Sequence, residues 1–488
     1  MYKCLFLTVL FMALWAQLTA QPVMHAINPD SLTWQQYQQG RWDELLRTGR
    51  QLNRQGIDYY FLRMRMAIAA IETANYDLAV KHLQKALYFN PRDLHATRYL
   101  VLARQYSLMP AEAGALFTRL PDNQRQGLQL NHGFALLSAH MDAGHTFTDH
   151  KASEDFGTLA GDAGLYGSES GLSSSGMADA GLWVQLRPGW LLYGGIQSFT
   201  HNFGQNYAYP TPELKLDRVE LNGTYKDYYY RIDSPATVFT ARASVKQNSA
   251  YVQLRHAPAH NILLVASAGI SKIEGEFPYS KATTIRFTDT ARLDLNTGTA
   301  TLFSLEVPAA GIDYALWHTT DYRFALGGMI HFNKISPGAG LHVGRMNDTS
   351  LIQLQLGYTL RPSGNAATWQ QTEVFLLEKQ GNRHAAVKIA AGHWLGTKTH
   401  VYATVLAGRL NGMADQWGFI TFNHREQCNF FGEAAVVQQL TPKLGISIRY
   451  RHGKSYYLKE RMDDKQQIEI AGNRLTSHGF IGGLIWNF

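Results

Sequence analysis

The residues best able to do chemistry are scattered along the chain. Among 19 histidines, His140, His145 and His150 recur at a constant step of five. Imidazole is the commonest metal ligand, but that step holds side chains on one face of neither a helix nor a strand. No acidic pattern accompanies them that would orient the rings, so they read as loop histidines. Ser447 with His452, and Ser477 beside His478, offer the Ser–His pairing a hydrolase needs. Adjacent residues of a strand point to opposite faces, which separates the second pair. Gly167-Ser168-Glu169-Ser170-Gly171 carries a carboxylate where a nucleophile elbow needs serine. No catalytic residue, metal ligand or cofactor is assigned, and a non-enzymatic role is expected.

The other chemically active residues are charges that alternate with apolar neighbours. Arg242, Lys246, Arg255, Lys388, Arg449 and Arg451 are basic, and Glu220, Glu373 and Glu433 acidic. The elements that must carry them are strands, because the period is two. Val238 to Lys246, Leu351 to Leu360, Leu444 to Arg451 and Val219 to Lys226 each alternate throughout. Breaks recur at Arg187-Pro188-Gly189, Lys246-Gln247-Asn248, Pro258-Ala259-His260, Asn347-Asp348 and Thr441-Pro442-Lys443. Longer polar stretches at Asp142 to Gly176, His201 to Glu213 and Gly453 to Arg474 read as long loops. If one face meets lipid, the charges line a wet lumen; Arg242, Lys246, Arg449, Arg451 and Glu220 are the candidate lumen-facing set. They serve either a pore for polar solutes or salt bridges filling a closed lumen.

The last twelve residues carry the same pattern to the end of the chain. Phe488, Trp486, Leu484, Gly482 and Phe480 share one face. An unshielded aromatic strand is an aggregation hazard in water, but it suits a strand that closes a barrel with that face in lipid. This segment resembles the closing strand of bacterial outer-membrane β-barrels. The resemblance implies that Phe480, Leu484, Trp486 and Phe488 act as the signal read by the barrel-assembly machinery. Gly482 departs from it, since a bulkier residue is usual there.

Composition permits this reading. The 45 Lys+Arg against 38 Asp+Glu form no basic block, so nucleic acid is not an expected partner. Aromatics reach 12% although mean hydropathy is slightly negative, as in strands with one wet and one greasy face. Of the two cysteines, Cys4 lies in a leader-like segment, leaving Cys428 without an intrachain partner.

Residues 1–20 read as a signal peptide, with Lys3 before the apolar run Leu5 to Trp15 and small Ala16 and Ala20 near the end. Residues 21–125 read as helical. Asn75 to Pro91 is similar to the second helix of a tetratricopeptide repeat, and a step of about 34 residues carries Ala79 to Ala113 and Leu83 to Phe117. Ala79, Leu83, Ala86, Pro91, Ala113 and Phe117 are the expected packing residues. Such repeats imply a concave surface for a protein or polymer; a plain spacer is the alternative.

Residues 126–488 are then the barrel. At roughly 20 to 24 residues per strand and connection it should hold about 16 strands. The expected fold is α+β: a short helical solenoid ahead of an antiparallel transmembrane barrel, with the helices in the periplasm. The order of parts resembles the YaiO-like outer-membrane proteins and, more distantly, the exopolysaccharide export porins. The expected role is a pore for a polar solute or polymer, with outer-membrane lipid around it and a periplasmic partner on the repeats. A non-conducting scaffold is the second reading and a lipid-modifying barrel enzyme the third.

Overall fold

The computed structural model of the protein describes residues 28–128, 130, 133–149, 166–418, 420–421, 427–462 and 468–488. The expected leader lies outside the described residues. The chain forms two compact units, one through Ser107 and one from Leu108 to Phe488.

The first unit contains five described helices: α1 (Pro29–Gln38), α2 (Trp42–Arg54), α3 (Tyr60–Glu72), α4 (Tyr76–Phe89) and α5 (Leu94–Tyr106). Side-chain caps set several of their starts. The Asn75 carboxamide accepts from the Leu78 amide at 3.3 Å, and the Asp93 carboxylate from the Ala96 amide at 2.7 Å, satisfying donors that the helix itself leaves free. Helix α4 packs on α3 and α5. It does so through a small-residue face, with Ala79, Leu83 and Ala86 fully buried. Pro91, just beyond the Asn90 cap, cannot continue the helix.

The second unit opens with α6 (Pro110–Phe117) and α7 (Asp122–Arg125). Ala113 and Phe117 are buried there. They therefore belong to the barrel unit, and not to the unit holding Ala79 and Leu83. Strands follow: β1 (Ala135–Thr148), β2 (Tyr166–Arg187), β3 (Trp190–Pro210), β4 (Glu213–Asn222), β5 (Tyr225–Asp233), β6 (Ala236–Ala259), β7 (Ile262–Asp294), β8 (Ala300–Ile330) and β9 (Ile335–Met346). Next come β10 (Thr349–Leu360), β11 (Thr368–Lys379), β12 (Asn382–Leu395), β13 (Thr399–Gly408), β14 (Ala414–Asp415), β15 (Ile420–Thr421), β16 (Gln427–Gln439), β17 (Leu444–Met462) and β18 (Ile468–Asn487).

Among the described residues, 14 strands close into an antiparallel cylinder. Its order is β1–β2–β3–β6–β7–β8–β9–β10–β11–β12–β13–β16–β17–β18, with β18 pairing back to β1 from Asn487↔Ser138 to Ser477↔Thr148. The Phe488 amide also reaches the Leu137 carbonyl at 3.1 Å. Closure leaves the cylinder without an unpaired edge. Its outside carries an apolar belt contributed strand by strand, including Leu326, Leu341, Ile352, Leu376, Ile389, Ile448 and Phe480. Apolar-out, polar-in alternation on a closed sheet is what a bilayer permits. Among the described residues, no helix is long and apolar enough to cross a membrane.

The expected count of about 16 strands is corrected to 14 in the wall. Spreading the chain evenly over strands fails because β7 and β8 run for 33 and 31 residues. Strands β4 and β5 form a separate hairpin, joined to β7 by a short ladder from Tyr225 to Asp227 and by the Tyr230 hydroxyl, which donates to the Thr290 carbonyl at 3.1 Å. The alternation read as one strand from Val219 to Lys226 in fact crosses that hairpin's turn. Asn222 pairs with Tyr225, and Gly223 takes φ +64°, a conformation that favours glycine. Lys246-Gln247-Asn248 is not a turn but the middle of β6, paired without interruption to Phe199 and its neighbours on β3. The supposed loops at His201 to Glu213 and from Gly453 onward are largely strand. Long strand extensions lie at one end of the cylinder, and short turns such as Pro188-Gly189 and Asn261 lie at the other.

Candidate functional site in the barrel lumen

Strand parity decides which charges face inward. Gln353 is buried while Ile352 and Leu354 beside it are exposed. The same alternation places His342 of β9, Glu373 of β11 and Lys388 of β12 inside. Arg449 and Arg451 of β17 also point inward. Arg449 meets Asp142 at 2.6 Å and Arg451 meets Glu433 at 2.6 Å.

Arg242, Lys246 and Glu220 are corrected: they do not face the lumen. The β3–β6 ladder runs without a bulge from His256 to Ala236, so parity holds along its length. Tyr251 and Gln253 lie on the inner side, and Val245, Ala243 and Ala241 continue it as buried residues. Arg242 and Lys246 therefore point outward and are exposed. At this end of the long strands the inside is apolar, with Ala241 packed on Tyr207 and Tyr209. An alternating pattern defines two faces but does not say which one is wet. Glu220 sits on the β4–β5 hairpin, paired with Arg218 at 3.3 Å.

The weak catalytic candidates do not assemble. The Ser447 hydroxyl is buried and donates to Asp142 at 3.3 Å. His452, of opposite parity, stands 5.1 Å from His478, which shares a 2.7 Å hydrogen bond with the Tyr450 hydroxyl. Of the three spaced histidines, His140 is half-buried on the inner side and His145 is exposed. His150 lies outside the described residues.

The lumen itself is crossed by a segment that strand periodicity did not reveal. After β13 the chain turns into the cylinder, and Leu410, Met413, Ala414 and Asp415 are almost wholly buried. Leu410 and Met413 pack on the inward side chains Phe375, Ala386 and Leu406. The Gln353 carboxamide donates to the Ala414 carbonyl at 2.7 Å and accepts from its amide at 2.9 Å, standing in for a strand partner. Asp415 takes the Lys388 ammonium at 2.8 Å, and Lys388 also meets Glu373 at 3.3 Å. From Glu373 the network continues through Gln355, at 2.6 Å, to His342, at 2.9 Å.

The tip of this segment reaches the far wall. The Trp417 carbonyl accepts from the Tyr251 hydroxyl at 2.9 Å and from Ser267 at 2.5 Å, on β6 and β7. Its indole stacks near His342, with ring centroids 6.3 Å apart, and lies against Gly327 and Gly340. Those two glycines face each other across β8 and β9, so the indole meets bare backbone there. Gln416 and Trp417 both adopt left-handed backbone, at φ 49° and 60°. For non-glycine residues that costs on the order of 1–2 kcal/mol each, offset here by the hydrogen bonds at the tip.

Helix α6 occupies the short-turn end. Gly114 approaches the Pro188-Gly189 turn so closely that an added Cβ would lie 2.3 Å from the Gly189 nitrogen. Ala111 joins an apolar cluster with Leu191, Ala257, Leu263 and Val265, which Trp417 and Met329 also touch. Glu112 meets His331 at 2.7 Å with both side chains buried, and the other ring nitrogen of His331 lies 2.8 Å from Ser336. Between the wall and the crossing segment lies a cavity of about 590 Å³. Trp183, Tyr193, Tyr251, Arg255, Arg449 and Trp417 are among the residues that line it.

No family model and no curated protein matches the chain. Solved structures do resemble it in architecture. A FadL homologue of Pseudomonas aeruginosa is 11% identical over 78% of this chain and 95% of its own, with a TM-score of 0.40. The Pseudomonas putida toluene transporter TodX is 7% identical over 77% of this chain and 92% of its own, at 0.38. The translocator domain of the autotransporter NalP from Neisseria meningitidis is 12% identical over 79% of this chain and 100% of its own, at 0.25. The fold is that of a bacterial outer-membrane β-barrel. That statement rests on the closed sheet and its apolar belt.

Proposed function

We propose that the chain is a gated outer-membrane channel for a small polar solute, with the segment after β13 as its gate. The observation that carries this reading is the manner of closure. Besides the apolar contacts of Leu410 and Met413, the crossing segment is held by a compact set of polar contacts, Asp415 to Lys388, Ala414 to Gln353 and Trp417 to Tyr251 and Ser267. Each can be exchanged for water, so the closure is of a kind that can open. The cavity behind it offers aromatic faces together with charges of both signs, which suits a polar or amphipathic solute better than a hydrocarbon.

In this reading the short turns and α6 face the periplasm, as short turns do in such barrels. The helical unit, read as tetratricopeptide-like, would hold a periplasmic protein or guide a polymer. The test is planar-bilayer conductance of the refolded chain against a variant lacking residues 410–421. Brief openings in the native chain and a steady channel in the variant support the gate. No conductance from either would leave the scaffold reading, which the double closure by α6 and the crossing segment favours.

A further inference from the structure

We propose that His140, Asp142 and Asp179 form a binding site for a divalent first-row transition cation, such as Zn²⁺ or Mn²⁺, on the wall of the lumen. The site follows from strand register. His140 and Asp142 are two apart on β1 and so share its inner face. Asp142 lies directly opposite Asp179 on β2, and His140 opposite Gly181. Two carboxylates in such positions repel unless something compensates them.

One of them is compensated. Arg449 takes Asp142 Oδ2 at 2.6 Å, leaving Oδ1 beside the Ser447 hydroxyl at 3.3 Å. It reaches across β18 because Gly483 stands between; a Cβ there would collide with Asp142 Oδ1. Among the described residues, no Lys or Arg pairs with Asp179. It is 8% exposed, its Oδ1 receives no hydrogen bond, and the nearest imidazole nitrogen, His140 Nε2, lies 3.4 Å away.

One ligand atom from each of the three residues falls within 4.8 Å of the others, and all three residues line the luminal cavity. One imidazole nitrogen and two carboxylate oxygens suit zinc or manganese, whereas calcium needs six or more oxygens. Tyr193 stacks on the His140 ring at 6.0 Å, fixing its plane. The alternative is direct pairing of His140 with Asp179, which binds no metal. The inference stands whether or not the lumen conducts.

The experiment uses the untagged full chain refolded in detergent, titrated with Zn²⁺ and with Mn²⁺ by equilibrium dialysis. The expected result is one saturable site whose affinity falls at least tenfold in Asp179→Asn and in His140→Ala. Affinity should be unchanged in His318→Ala, which alters an exposed histidine on β8. A second measurement needs no variant: mass spectrometry of diethylpyrocarbonate labelling, in which Zn²⁺ should protect His140. Absence of saturable binding, binding indifferent to Asp179→Asn, or labelling of His140 unaffected by Zn²⁺ each overturns the proposal.

Discussion

Gly340 and Trp417 put the gate reading to its sharpest test. A methyl group at Gly340 would lie 2.6 Å from the indole, with only Trp417 atoms among its nearest neighbours. Gly340→Ala should therefore push the ring off its shelf and raise open probability several-fold in bilayer recordings. Trp417→Ala should do the same by removing the ring. The double variant should open no more than Trp417→Ala alone, because both changes act on one contact; additive effects would sink the idea. A second residue-scale prediction concerns His82 in the helical unit. Burial and the Arg63 guanidinium, 3.0 Å from its ring, lower its pKa to about 3. The unfolded chain, with an ordinary histidine near 6.5, then binds the proton first as pH falls. The stabilising contribution of neutral His82 is full above about pH 6.5 and fades toward pH 3, with a slope approaching about 1.4 kcal/mol per pH unit. Urea unfolding of the helical unit should weaken with acid over that window, and His82→Phe should flatten the dependence. At this scale the sequence was only partly legible. Arg449 and Arg451 stand inside, but identical alternation around Arg242 and Lys246 puts them outside, because the wet and dry sides exchange along one unbroken strand. Asp142 and Asp179 gave no signal, since the register that brings them together joins residues far apart in sequence.

Between strands and loops, what matters is how each end of the lumen is closed. Lys388 lies between Asp415 of the crossing segment and Glu373 of the wall, and all three are buried. Lys388→Met would leave two buried carboxylates without their cation, and breaking such a group costs about 3–5 kcal/mol. The chain can escape that cost by withdrawing Asp415 into water, so the segment should leave the lumen. A cysteine at Met413 should then react with a water-soluble maleimide at least tenfold faster than in the Lys388 background. At the other end, Gly114→Val would force α6 off the Pro188-Gly189 turn. Maleimide should then reach a cysteine at Ala111, while the barrel keeps its heat-modifiable mobility on gels. The strands were readable because they alternate, and the helices because Ala79, Leu83 and Ala86 recur at helical spacing before Pro91. The crossing segment was not, since a chain folded into a lumen is anchored by strands elsewhere and needs no period of its own. Asn222-Gly223 was a turn signal present in the sequence and overlooked, as were Gln380-Gly381 and Gly396, which also take positive φ.

The closed cylinder ties these closures to a single outcome, because the inward charges stand on one continuous wall. Along it Lys388 pairs with Glu373, Arg449 with Asp142 and Arg451 with Glu433, while Arg255 and Asp179 line the cavity, so these charges balance. Deleting residues 410–421 removes Asp415 and leaves Lys388 with Glu373 alone, shifting that balance by one charge toward positive. An open cylinder of this kind should pass ions of both signs with a mild preference for anions. The preference should weaken with salt, because screening shortens to about 8 Å near physiological ionic strength. Reversal potentials in a tenfold chloride gradient measure it. Adding Lys388→Met to the deletion should move the reversal potential toward cation selectivity while leaving conductance nearly unchanged, since the side chain changes charge more than width. If the deletion conducts but Lys388→Met does not move the reversal potential, ions travel a path that avoids this wall. The lumen between β6 and β12 would then not be the route, and the crossing segment would be a structural brace instead of a gate.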